Sequence, residues 1–253
     1  MVLPHPEREE PFVTDTGASL LAEAGSAGGE PGLLVERLLR QPEDIWRQIA
    51  AERELRRLNG QLVLACAVPL AIYGAVLGSS NSLLQAVASA VKLPVLFLLT
   101  LAICLPALYL FNLVFGSRLS AAQTLALVLS GIATTGMLTL GFAPISVFFL
   151  LSAPDYDFFK LLNVAILTLT GFAGLRSLLK GMAQLQPRHD SAPQSASRGG
   201  QLMLRTWLLV YAFVGTQLAW TLRPFFGAPE LPFELFRRLE GNFYVNILQA
   251  LFG

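Results

Sequence analysis

Five long apolar runs dominate this chain, and none carries a charged side chain near its centre. They cover Gln61–Gly78, Leu93–Phe115, Ala121–Gly141, Phe158–Gly174 and Leu204–Leu222. A helix needs about 20 apolar residues to cross a hydrocarbon core of about 30 Å. Lipid offers no partner to a backbone N–H or C=O, so such a run must satisfy its own backbone, as an α-helix does. Outer-membrane barrels instead use alternating segments of about 10 residues. The expected fold is all-α: a polytopic α-helical membrane bundle of about five transmembrane helices with an N-terminal amphipathic helix. Composition agrees. The chain is 54% hydrophobic and 14% charged, where a soluble domain carries about 25% charge.

The polar inventory narrows the chemistry. A net charge of +1 leaves no electrostatic footprint for nucleic acid. Cys66 and Cys104 lie inside apolar runs, where a cysteine acts as a small buried apolar residue. His5 and His189 sit in polar stretches without a ligand cluster, so no metal is expected. Asp155 and Asp157 form the close carboxylate pair beside a run. Two apart on an extended turn, they point the same way and could share a cation; alternatively, Asp155 after Pro154 caps the next helix. No phosphate loop, zinc spacing or Ser/His arrangement appears. The chain therefore reads as a non-enzyme with no cofactor and no catalytic residue.

Between the runs the sequence divides further. Residues 1–31 read as a disordered tail, rich in Gly, Ala, Glu and Pro. They lack a cleavable signal pattern, so insertion is expected to use an uncleaved first span. Residues 32–60 read as cytosolic or interfacial amphipathic helices. The second of these starts at Pro42, with Glu43 and Asp44 at its positive end, and is expected to stop at Asn59-Gly60. Its apolar face holds Ile45, Trp46, Ile49 and Ala50. That face suits a membrane surface, with Trp46 at headgroup depth, or packing on the bundle itself. Residues 61–185 hold spans one to four, 186–201 a flexible cytosolic linker, 202–223 span five, and 224–253 an amphipathic tail striped by Phe236, Leu239, Phe243 and Ile247.

Three interruptions are expected. Ser79–Leu93 reads as a separate interfacial helix. Pro106 should kink span two. Gly141-Phe142-Ala143-Pro144 should break the third run, because all of Ala121–Ser152 at 1.5 Å per residue would cover about 48 Å. Ile145–Leu151 would then lie near the far interface.

Positive charge sets the threading. Arg8, Arg37, Arg40, Arg47, Arg53, Arg56 and Arg57 precede span one; Arg118 follows span two; Arg176, Lys180, Arg188, Arg198 and Arg205 lie around the fourth connection. Lys92, Lys160, Arg223, Arg237 and Arg238 face the other side. Five spans then place the N-terminus in the cytosol and the C-terminus outside. Inserting the Ile145 region or the tail would make six.

Inside span three, Ala122, Ala126, Ser130 and Thr134 form a row of small residues at a spacing of four, with Gly131 and Thr135 beside it. Such rows let helices approach closely, and their hydroxyls can bond across the seam. A polar pore lining is the functional alternative, although no ionisable residue accompanies these groups.

The segment Leu38–Ile49, Leu-Leu-Arg-Gln-Pro-Glu-Asp-Ile-Trp-Arg-Gln-Ile, precedes five close-set spans. This layout, over about Leu38–Leu222, resembles the Yip-domain membrane proteins. The stretch Lys92–Asn112, with Pro94 and Pro106, is similar to a bacterial subgroup. The Asp-Leu-Tyr-Gly-Pro motif of eukaryotic members has no match here, so no functional residue carries over. The resemblance implies a non-enzymatic role in membrane organisation, or a scaffold that binds other integral membrane proteins within the lipid bilayer. Packing or partner binding would fall to Trp46, Ile49, Ala126, Ser130, Gly131, Thr134 and Pro106. The alternative is a transporter or channel component for a neutral or lipidic solute, with Pro106 and the span-three hydroxyls along its path.

Overall fold

The computed structural model describes residues 31–114, 119–152, 156–185 and 194–226. The tail before Pro31, His5, Asp155, His189, the first half of the expected linker and the Phe236–Ile247 stripe lie outside the described residues. Those described form helices and no strand. They are α1 (Pro31–Arg40), α2 (Pro42–Ala50), α3 (Leu55–Gly78), α4 (Leu83–Val114), α5 (Ala121–Ser152), α6 (Tyr156–Leu185) and α7 (Gln194–Leu222). Four of them, α3 to α6, are long and apolar enough to cross a membrane; in α7 the apolar part is the shorter Thr206–Leu222. The protein is thus a helical bundle of membrane type, as its sequence implies.

Helix α5 sits at the centre. In its most apolar window 61% of residues are buried, against 44%, 33% and 28% for α3, α4 and α6. It packs between α3 and α6; α4 packs on α3, and α7 on α4. Successive helices run in opposite directions. Asn59 Nδ2 donates to Ala122 O at 3.3 Å, which puts the starts of α3 and α5 at one end. Helix α6 returns along α5, pairing Ser146 with Asn163 and Thr139 with Thr170. Helix α7 returns along α4, since Trp207 meets Cys104 while Pro224 meets Gln85. Helices α1 and α2 cross the end where α3 and α5 begin, called here the near end.

Several expected interruptions fall elsewhere. Helix α2 stops at Ala50, and α3 begins at Leu55 and runs straight through Asn59-Gly60. The break is made by Ala51–Glu54, where Glu52 and Glu54 both take positive φ, 54° and 49°. Two left-handed residues turn the chain sharply enough for Ile45, Trp46 and Ile49 to fold back on the bundle while α3 buries Leu58 and Leu62. Gln123 completes the turn: its Nε2 donates to Ile49 O at 3.0 Å, a carbonyl at the end of α2 that also accepts from Glu52 N.

The interfacial helix expected over Ser79–Leu93 is the first part of α4, which is continuous through Pro94 and Pro106. Likewise α5 is not broken at Gly141–Pro144; it continues to Ser152. A proline removes one backbone hydrogen bond but does not end a helix whose flanks are held by neighbours. Beyond Pro144, Ser146 is anchored to Asn163, the acceptor it shares with Tyr73, which keeps the last turns of α5 against α3 and α6. Helix α7 begins at Gln194, so the second half of the stretch read as flexible linker is helical.

Candidate functional site

Helices in lipid gain little from hiding apolar surface, so their contacts depend on close packing and on hydrogen bonds. The α5–α6 seam shows both. Gly131 and Gly174 face each other. A Cβ on Gly131 would sit 3.1 Å from Leu178 Cβ and 3.2 Å from Gly174 O, and one on Gly174 would collide with Thr135 Oγ1 and Gly131 O. Further along, Thr139 Oγ1 and Thr170 Oγ1 share a hydrogen bond at 2.9 Å. On its other side α5 presents Gly136, where a Cβ would lie 3.3 Å from Leu70 of α3. Cys66 Sγ, in α3, reaches Leu129 O at 3.4 Å.

The span-three residues picked out from the sequence all lie within this packing. Ala126 and Ser130 are fully buried, as is nearly all of Thr134. Their hydroxyls turn back onto their own helix: Ser130 Oγ donates to Leu127 O at 2.7 Å and Thr134 Oγ1 to Ser130 O at 2.8 Å. Thr135 Oγ1 does the same with Gly131 O. Of the hydroxyls named in span three, Thr139 is the one whose described bonds reach another helix, so the seam is closed mainly by shape.

A second polar group joins three helices toward the far end. Tyr73 of α3 donates to Asn163 Oδ1 of α6 at 2.6 Å, and Ser146 of α5 donates to the same oxygen at 2.7 Å. Asn163 Nδ2 donates to Phe159 O at 2.8 Å, which fixes the orientation of the amide. Each hydroxyl has one proton, so the 3.3 Å approach between Tyr73 and Ser146 joins two oxygens whose protons already point at Asn163. Neither Asn163 nor Tyr73 stands out in the sequence as a site residue. Nothing local marks the pair, since they lie ninety positions apart and meet only when α3 and α6 flank α5.

At the near end, Trp46 and Ile49 are buried, with Ile45. Between the two placements open to α2, the bundle holds it. Trp46 rests on Gly181 of α6, where a Cβ would lie 2.7 Å from the indole Nε1 and 2.7 Å from Leu127 Cδ1. Of the arginines around it, three pair with carboxylates: Arg40 with Glu36, Arg47 with Glu43 and Asp44, and Arg57 with Glu54. Such exposed pairs contribute about 0–1 kcal/mol each. Pro106 does not join the buried residues; it is exposed on the outside of α4.

Asp157 pairs with Lys160 at 2.7 Å, one turn into α6. Among the described residues no group of three His, Cys, Asp or Glu side chains is placed to hold a metal ion. Compared with known proteins, the chain matches no family model, no curated sequence and no solved structure.

Proposed function

We propose that this protein is a non-enzymatic scaffold or accessory subunit of a bacterial inner membrane, crossing it several times with its N-terminus in the cytosol. The resemblance to Yip-domain proteins implies a role of the same kind. One observation carries the reading: the span-three hydroxyls, the best lining that a solute path could have here, are buried between α3 and α6 and bonded to their own helix. A transport path would need them turned toward water. Pro106, the other element of such a path, faces outward. A bundle with its polar groups closed off is suited to holding a fixed surface toward neighbours. That surface is the outer one. The small-residue face and the Trp46 face are already filled from within the chain, so a partner meets the outward residues of α4, α6 and α7, among them Val87, Val91, Leu161, Phe172 and Phe213.

The arrangement of basic residues supports the orientation. Arg176 and Lys180 belong to the part of α6 that returns to Trp46, so they join Arg37, Arg40, Arg47, Arg53, Arg56 and Arg57 at the near end. Lys92, Lys160 and Arg223 lie toward the far end. Basic residues collect on the cytosolic side. Affinity purification of the full chain from native membranes in mild detergent tests the role. Membrane proteins recovered at fixed stoichiometry are expected. A lone protein whose melting temperature rises with an added neutral or lipidic solute would favour transport instead.

A further inference from the structure

A polar row in the far half of α4 is accounted for by neither the seams nor the resemblance. Gln85, Ser89 and Lys92 follow one another at spacings of four and three, which places them on one helix face. All three are buried, Lys92 to 5% exposure. They spend hydrogen bonds on a single piece of chain, the residues just after α7. Gln85 Nε2 donates to Pro224 O at 2.8 Å, and Lys92 Nζ donates to the same oxygen at 3.3 Å. Ser89 Oγ donates to Phe225 O at 2.5 Å. In the α3–α4 turn, Ser80 Oγ lies 2.9 Å from Phe226 O and equally from Leu77 O, its one proton serving one of them at a time. Phe226 also meets Phe159 of α6 edge-on, with centroids 6.4 Å apart.

Two separate needs meet here. Past Leu222 the chain has left its helix, so the carbonyls of residues 224–226 have no donor of their own, and lipid supplies none. A lysine buried in an apolar run needs carbonyls or a counter-charge around it. The row on α4 answers both. By contrast, the rest of α7 is lightly attached, with α4 as its principal neighbour. Trp207 Nε1 donates to Cys104 O at 3.0 Å, Tyr211 OH reaches Phe97 O at 3.5 Å, and Gly215 lies along Thr100. The other side of α7 exposes Leu209 and Phe213.

We propose that residues 223–226 form a latch that fixes α7 on α4, and that α7 is built to detach as a unit. While the latch holds, α7 covers the Phe97–Cys104 stripe of α4. Released, it uncovers that stripe and leaves the α3–α5–α6 seams intact. The inference does not depend on the scaffold reading.

The protein's own cysteines report on this. Cys104 is covered where Trp207 docks, whereas Cys66 is held in the α3–α5 contact at Leu129. In the full chain in mild detergent, maleimide labelling of each cysteine is followed by mass spectrometry. Lys92→Met with Ser89→Ala should raise the Cys104 rate about tenfold, the change expected from losing one or two such hydrogen bonds, with Cys66 at its wild-type rate. Cross-linking α7 to α4 through Thr100→Cys and Gly215→Cys in that variant should restore the protection of Cys104. Ser89→Ala alone, which removes a single hydrogen bond and little volume, should act in the same direction with smaller amplitude. An unchanged Cys104 rate in the double variant overturns the latch. So does an equal rise at both cysteines in Ser89→Ala, because the whole bundle would then have loosened.

Discussion

Gly174 shows how much a single side chain decides in a bundle without a hydrophobic drive between helices. A methyl there would collide with Thr135 Oγ1 and Gly131 O, both on a helix fixed by neighbours on two sides. Gly174→Ala should therefore lower stability by about 1–3 kcal/mol, the range for overpacking. Gly171, three residues earlier, has nothing within 4 Å of an added Cβ, so Gly171→Ala should stabilise by about 0.5–1 kcal/mol through helix propensity alone. Thermal unfolding of both in detergent checks the pair, and equal shifts would remove the seam from the account. Asn163 is the polar counterpart. Asn163→Leu takes the shared acceptor from Tyr73 and Ser146 and should cost about 1–3 kcal/mol, while Tyr73→Phe, which leaves Ser146 its partner, should cost about 0.6 kcal/mol. If Tyr73→Phe proves the more damaging, the network is not centred on Asn163. The small row of span three was legible in the sequence because its spacing of four is a local signal. Gly174 and Tyr73 were not, because their importance depends on which helix faces them.

At the scale of the element, the sequence located every described helix but misplaced several ends. Asn59-Gly60 looked like a stop because glycine and asparagine favour the residue after a helix. The stop lies instead at two glutamates in left-handed conformation, which no propensity would choose. They hold that shape because burying Trp46 against Gly181 and burying Leu58 require the chain to turn there. Glu54→Gly should accordingly stabilise the turn by about 0.5–1 kcal/mol, whereas the same change at a helical glutamate such as Glu43 should destabilise. Melting curves of the two variants decide it. The contact that imposes the turn can be tested too. Gly181→Leu should push Trp46 off α6, release α2, and speed tryptic cleavage after Arg53, with Cys66 still protected. Pro144 was misread in the same way: α5 runs on through it to Ser152, as α4 runs on through Pro94 and Pro106. Neighbouring helices hold both flanks in place, which the linear pattern does not reveal.

Across the whole molecule, alternating helix directions bring the residues around α1 and α2 together with the end of α6, and the far end collects Lys92 and Arg223. With α7 as a fifth crossing, the two termini fall on opposite sides. A reporter active only in the cytosol should work when fused before Met1 and fail after Gly253. Activity at both ends would mean an even number of crossings. From the sequence alone came the membrane solvent, the helical class, the approximate number of long apolar helices and the side on which arginine collects, because each depends on composition and local period. Only the tertiary structure decided that α5 is the central helix and that α2 folds inward. It alone brought Asn163 to Tyr73 and fastened the chain after α7 to Lys92. These are pairings between segments up to 146 positions apart, and in lipid they depend on shape and on where a buried polar group finds its partner.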